Sequence, residues 1–131
     1  MVAVFTDAER AFLGTQRIAR LATAGTDGTP DVSAVGFKLD GDVIVSGGLD
    51  LTKTIRYHHL QANRIAAIVI DELASVDPWT PRGVKLRGPA ELNQGENGAW
   101  SIRITPKTIW SWGINEGAAH RFANIERRTI S

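Results

Sequence analysis

Two tight turn sequences, Gly25-Thr26-Asp27-Gly28 and Leu39-Asp40-Gly41-Asp42, fall between short apolar runs and leave this chain few folds to choose from. Glycine beside Asp supplies the positive φ that hairpin turns need. The runs they join, Ile18 to Thr23, about Asp31 to Lys38, and Val43 to Ser46, are short and bounded by turn residues. Strands joined this closely pair antiparallel, which argues against an all-parallel sheet. Ile65 to Ile70 is a continuous β-branched apolar run and predicts a strand covered on both sides. Val84 to Leu92 predicts a long strand with a bulge or an edge at Gly88-Pro89. Trp100 to Thr105 is the last clear strand. The reading is mainly β: six strands in a small, closed antiparallel barrel with a few short helices.

The helices have their own signals. Thr6 and Glu9 form a capping box for a helix that ends at Gly14. Asp50 predicts the cap of a second helix, along which Leu51, Ile55, His58 or His59, and Ala62 recur at helical spacing. Asp77 to Gly83 holds two prolines and predicts a loop. Beyond Pro106 come Ile109, Trp110 and Trp112, then a polar, Arg-rich tail to which no element is assigned. If extended, Trp110 and Trp112 share one face, either of the core or of a dimer surface.

Composition narrows the function. With 131 residues the chain predicts a single domain, 1–131. It has no Cys, so thiol nucleophiles, thiolate metal sites and disulfides are excluded. Fifteen basic against fourteen acidic residues give a net charge of +1, too little for whole-surface attraction to nucleic acid or membrane. No apolar run approaches the roughly 18 residues of a membrane span. The N-terminus carries Asp7 and Glu9 with no signal-peptide pattern, so a cytoplasmic location is expected.

Gly47-Gly48-Leu49-Asp50-Leu51-Thr52-Lys53-Thr54 matches a nucleotide-binding P-loop except at Thr52, where the pattern needs Gly. A Cβ there obstructs the wrap around phosphate, and the hairpins around it are not a parallel βαβ unit. A Gly-rich turn before a helix start still offers unpaired N–H groups to an anion. On one continuous helix Lys53, Arg56 and Arg64 fall within about 80° of one another. The alternative is a solvated basic face. His58 and His59 diverge by about 100° on a helix and His120 has no neighbouring ligand pattern, so packed or surface histidines are expected and no metal site. Ser33 and Ser46 lack a nucleophile elbow, and no catalytic residue is assigned. Trp79, held between prolines, reads as a core plug or as a support for a planar anion, together with Arg82, Lys85 and Arg87. Lys85 and Arg87 share a strand face; facing inward they need an anionic partner, facing outward they need none.

The ordered set of segments resembles a known family. Arg20-Leu21-Ala22-Thr23 with Asp27-Gly28-Thr29-Pro30, Val32-Ser33-Ala34-Val35-Gly36-Phe37, the basic helix behind Gly47-Gly48, and Val84-Lys85-Leu86-Arg87-Gly88-Pro89-Ala90 carry it. Arg103-Ile104-Thr105-Pro106 and Trp110-Ser111-Trp112-Gly113 complete it. The chain is similar to the split β-barrel flavin and deazaflavin oxidoreductases related to pyridoxamine 5′-phosphate oxidase. More narrowly it resembles the short actinobacterial branch that uses coenzyme F420. The resemblance runs from about Phe5 to Ile114; from Asn115 and Glu116 onward nothing matches.

That resemblance implies a homodimer with two cofactor sites at its interface. Ser33, Ala34 and Val35 would lie against the tricyclic ring, and Ser46 and Gly47 would line the cleft. Thr52, Lys53 and Thr54 would take the phosphate, with Arg56 reaching it or the coenzyme's acidic tail. Trp79 and Arg82 would come from the other subunit, Lys85 is counted among the cofactor-binding residues, and the acceptor's proton would come from solvent or from Lys85. The implied reaction is hydride transfer from reduced F420 to a small unsaturated acceptor. FMN is the alternative cofactor, and a non-catalytic cofactor or haem carrier is the alternative class.

Overall fold

The computed structural model describes residues 4–115 and 125–130. Helix α1 (Asp7–Gly14) starts as expected: the Thr6 hydroxyl accepts from the Glu9 N–H at 3.1 Å, and the Glu9 carboxylate accepts from the Thr6 N–H at 3.0 Å. Its inner face carries Glu9, Phe12 and Leu13. β1 (Ile18–Ala24) and β2 (Pro30–Gly36) form the first hairpin, in register from Ile18 opposite Gly36 to Ala24 opposite Pro30. Ala19, Leu21 and Thr23 point inward, while Ile18 and Arg20 point out.

The predicted strand through Lys38 is broken. The chain leaves the first sheet after Gly36, and Lys38–Asp40 forms β3, paired with β4 (Val43–Ser46) in a second sheet. A 3-10 turn (Leu51–Lys53) and helix α2 (Ile55–Ala62) follow. β5 (Ile65–Ser75) and β6 (Thr80–Gln94) are long partners, then come β7 (Trp100–Ile104), β8 (Thr108–Trp112) and β9 (Glu126–Thr129).

β6 organises the molecule. Its first half lies between β5 and β8; its second half pairs with β7, which continues to β4 and β3. On the other flank β5 pairs with β1, and β1 with β2. Gly88 and Pro89 mark the passage between the sheets, not a bulge or an edge. Pairing to β5 runs in register through both, and on the far side the Pro89 carbonyl accepts from the Thr105 N–H at 2.9 Å. Only glycine fits at Gly88, since a Cβ there would lie 1.9 Å from the Thr105 carbonyl oxygen.

Four further expectations are corrected. The described residues form nine strands, not six, because the break after Gly36 makes β3 a separate strand and because Trp110 and the tail contribute β8 and β9. The pairing does not close: β2 and β3 have one partner each, so the barrel is split. Ile65 to Ile70 is covered on one side only, with Ala66, Ile68 and Ile70 buried and Ile65 exposed. The expected loop over Asp77–Gly83 is also shorter, since β6 already begins at Thr80. Between the sheets lie Ile44, Ile68, Ile70, Leu86, Ile102, Ile104 and Ile109, all essentially inaccessible. Each contributes about 1.5–3 kcal/mol by burial. No helix among the described residues is long and apolar enough to cross a membrane.

Candidate functional site

The turn after β4 is built around glycines and one arginine. Ser46 is fully buried and its hydroxyl donates to the Gly36 carbonyl at 2.8 Å, pinning the end of β4 to the point where β2 leaves its sheet. Gly47 and Gly48 follow at the surface. Asp50 is left-handed at φ 54° and makes no capping hydrogen bond. The cap of α2 is Thr54 instead, whose Oγ1 accepts from the Tyr57 N–H at 3.2 Å and donates to the Leu51 carbonyl at 2.6 Å. Expecting one helix from Asp50 was therefore incorrect. Lys53 ends the 3-10 turn and Arg64 lies past Asn63, the C-cap, so Lys53, Arg56 and Arg64 do not share a helix face.

Arg56 is the cation that the fold places. Its Nη2 lies 2.8 Å from where a Gly48 Cβ would project, so the guanidinium sits against the glycine backbone. Its Nε is buried and has no partner among the described residues. A buried N–H without an acceptor is costly, by roughly 1–3 kcal/mol, and an anion over the turn would relieve it. Lys53 and Thr52 are exposed on the same turn. Beside Gly47 opens a cleft of about 480 Å³, lined among others by Gly36, Phe37, Lys38, Val45, Trp100 and Arg103. That volume lies in the range of small-molecule sites.

The remaining expected residues are spread over two faces. On β2, Ser33 and Val35 point inward, Val35 into the core, and Ala34 is exposed on the outer face. Trp79 stands in the β5–β6 turn, 58% exposed and not a core plug. Arg82 points inward, where it is ion-paired to Glu72 and lies over the Phe12 ring. Hydrogen bonds from Arg82 chiefly, against a smaller opposing effect of burial, hold the Glu72 carboxyl below its usual range. Lys85 and Arg87 face outward, away from Arg82. His59 is packed, with Nδ1 2.9 Å from the Thr23 hydroxyl; His58 is exposed, and His120 lies outside the described residues.

Sequence reasoning missed Trp110 as a cationic centre. Lys85 Nζ lies 4.4 Å from its ring centroid, Arg87 Cζ 5.2 Å and Arg127 Cζ 5.9 Å. The Lys85-x-Arg87 alternation was visible, but the pairing of Trp110 with both Lys85 and Arg127 is a matter of register.

The fold is a split antiparallel barrel, with an arginine set behind a glycine turn at its second sheet. The chain belongs to the pyridoxamine 5′-phosphate oxidase family, whose model matches residues 5–112, within the split-barrel flavin and deazaflavin oxidoreductase superfamily. It is 30% identical over 119 residues to the 5a,11a-dehydrotetracycline/5a,11a-dehydrooxytetracycline reductase of Streptomyces rimosus subsp. rimosus, with 84% of each chain covered. Among solved structures it is similar to a heme binding protein from Mycobacterium smegmatis, with a TM-score of 0.70 and 22% identity. That match covers 98% of this chain but only 60% of the other. It is also similar to an F420 reductase, with a TM-score of 0.63 and 21% identity over 80% of this chain and 98% of that one.

Proposed function

We propose that this protein is an F420-dependent reductase, passing hydride from the reduced deazaflavin to a small, planar, unsaturated acceptor. The observation that carries the reading is Arg56, set against Gly48 with its Nε unsatisfied, one residue along from Gly47, which lines a cleft of small-molecule size. The residues present suit a cofactor with an anionic end and a flat ring. In this reading Arg56 and Lys53 neutralise the phosphate and Thr52 and Thr54 frame it; the Lys53 and Thr54 N–H groups already donate to the Asp50 and Leu51 carbonyls, so the side-chain cations carry the binding. Gly47 lets the cofactor approach the backbone, and Ser46, tied to Gly36, keeps that turn in place. Ala34 offers a flat apolar surface on the outer face of β2, while Ser33 and Val35 set that strand's register. When bound, the deazaflavin supplies the hydride chemistry, and the protein supplies orientation and water exclusion.

The site is proposed to be completed by a second copy. The outer face of the first sheet exposes Ile18, Val32, Ile65 and Leu73, an apolar surface suited to a homodimer. Trp79, solvent-exposed at its hairpin tip, would then reach the neighbouring site. Support for a reductase comes from the relative named as a 5a,11a-dehydrotetracycline/5a,11a-dehydrooxytetracycline reductase. Fluorescence titration with F420 and, separately, FMN tests the cofactor assignment. Micromolar or tighter F420 binding with weak FMN binding is the expected result. Preference for FMN would replace the deazaflavin, and binding of haem alone would make the protein a carrier. Oxidation of bound reduced F420 by added 5a,11a-dehydrotetracycline then separates an enzyme from a carrier.

A further inference from the structure

The outer face of the first sheet gathers cations around one indole, away from the Gly47–Arg56 turn. Lys85 and Arg87 on β6, and Arg127 on β9, converge on the half-buried indole of Trp110 between them. Register explains the convergence: Lys85 is opposite Trp110, and Trp110 is opposite Arg127, so the three lie in one row across three strands. Arg87 stands two residues along on the same face of β6. The five ion pairs among the described residues engage Arg10, Arg20, Arg82, Arg103 and Arg128; none engages these three cations. Glu126, the neighbouring acid on β9, bonds Asn115.

Three like charges around one ring repel one another, and the indole quadrupole offsets only about 0.5–1 kcal/mol per cation at an exposed site. A single negative charge would satisfy one guanidinium fork; this cluster offers three positive centres to one ligand. The positive charge is also confined to a patch: Arg20 in the same row is neutralised by Asp71, and Val69 separates it from Lys85. A compact patch fits a compact ligand, not an extended polymer.

We propose that Lys85, Arg87 and Arg127 around Trp110 form a binding site for a small polyanion, a phosphate ester or a di- or tricarboxylate carrying two or more negative charges. The cluster shares no residue with the Gly47–Arg56 turn; it shares Lys85 with the residues that the family resemblance assigns to the cofactor, and it lies on the same sheet face as the apolar surface proposed for the homodimer.

The test follows the indole N–H signals of the four tryptophans by two-dimensional NMR at low ionic strength. Trp110→Phe assigns the relevant signal. Pyrophosphate and citrate are titrated separately into the full chain. The expected result is a saturable shift of the Trp110 signal, weakened by added salt, with affinity falling about tenfold or more in Arg127→Ala and in Arg87→Ala. Arg127→Lys should restore part of the affinity, and Arg56→Ala should leave the Trp110 response unchanged. Response to pyrophosphate alone would specify phosphate esters, and response to both would specify polyanions by charge. No saturable shift at Trp110 with either anion would overturn the proposal, as would equal affinity in Arg87→Ala and Arg127→Ala. Lys85→Gln serves as the second variant if the β9 substitution unfolds the chain.

Discussion

The carboxylate of Glu9, on the first helix, is completely buried and held by the guanidinium of Arg128, on the last strand. Arg128 also donates to the Val4 carbonyl, and Asn115 and the Thr6 N–H complete the set around Glu9. The pair therefore fastens β9 and the residues before α1 to the same point. Burial by itself raises the Glu9 pKa. Hydrogen bonds from Arg128, Thr6 and Ser111, with the charge of Arg128, outweigh it and bring the carboxyl below its usual value. A lowered folded pKa means that the contribution is complete above the unfolded value of about 4.3 and fades as pH falls through the folded value. Arg128→Ala leaves a buried charge without its partner and should destabilise the protein by about 3–5 kcal/mol near neutral pH. In that variant burial dominates, so acidification to about pH 4 should narrow the gap to wild type. Urea denaturation at the two pH values measures both effects.

Gly88 and Gly14 make a paired prediction. A Cβ at Gly88 would drive into the Thr105 carbonyl at 1.9 Å, with the Lys107 nitrogen at 3.0 Å, and both are backbone atoms that cannot move aside. Gly88→Ala should destabilise by at least about 3 kcal/mol, the upper end of overpacking costs. At Gly14 a Cβ meets nothing within 4 Å, and the residue ends a helix. Gly14→Ala should therefore stabilise by about 0.4–1 kcal/mol, through the unfolded chain. Equal chevron or urea midpoints for the two variants would contradict the assigned role of Gly88.

The cap of α2 falls on Thr54, four residues beyond the Asp50 that the sequence suggests. Thr54 satisfies the Tyr57 N–H, whereas Asp50 caps nothing and sits in the left-handed region. Thr54→Ala should cost about 0.5–2 kcal/mol. Asp50→Gly should be neutral or mildly stabilising, because glycine adopts φ 54° without strain. Thermal melts of the two variants decide the point; a larger loss at Asp50 would restore it as the cap.

What the sequence made legible were features fixed by neighbours in the chain. The capping box at Thr6 and Glu9, the hairpin at Gly25–Gly28 and the alternation of Lys85 with Arg87 depend on residues a few positions apart, and all are present. Features set by distant pairing were not legible. The tail reads as polar, yet Arg128 is drawn into place by a carboxylate 119 positions away. Ile65 to Ile70 looks doubly covered because apolar side chains also occupy its outer face, which the described chain leaves open. Gly88-Pro89 imitates a defect because the same residues serve a strand crossing between two sheets. For the site, the glycine turn and nearby cations were visible. The ranking of Arg56 over Lys53 was not, since it follows from a helix that starts one residue after Thr54.

That ranking yields the last prediction. If the turn holds the cofactor's phosphate, the cation fixed against it should matter more than the one on the surface. Lys53 is exposed, so its contact with an anion is screened and flexible. Arg56 is packed against Gly48 with its Nε buried and unsatisfied, so it already stands at the turn before an anion arrives. Arg56→Ala should weaken F420 binding by about 1.5–3 kcal/mol, roughly ten- to a hundred-fold. Lys53→Ala should lose less than about 1 kcal/mol, as exposed pairs do. Gly48→Ala provides a second check, because its Cβ would lie 2.8 Å from Arg56 Nη2 and push the guanidinium away without removing it, while the positive φ of 154° also strains the turn that holds the anion. It should reproduce most of the Arg56→Ala loss while leaving the net charge unchanged. Full F420 affinity in both Gly48→Ala and Arg56→Ala, read by fluorescence titration, would move the phosphate away from this turn.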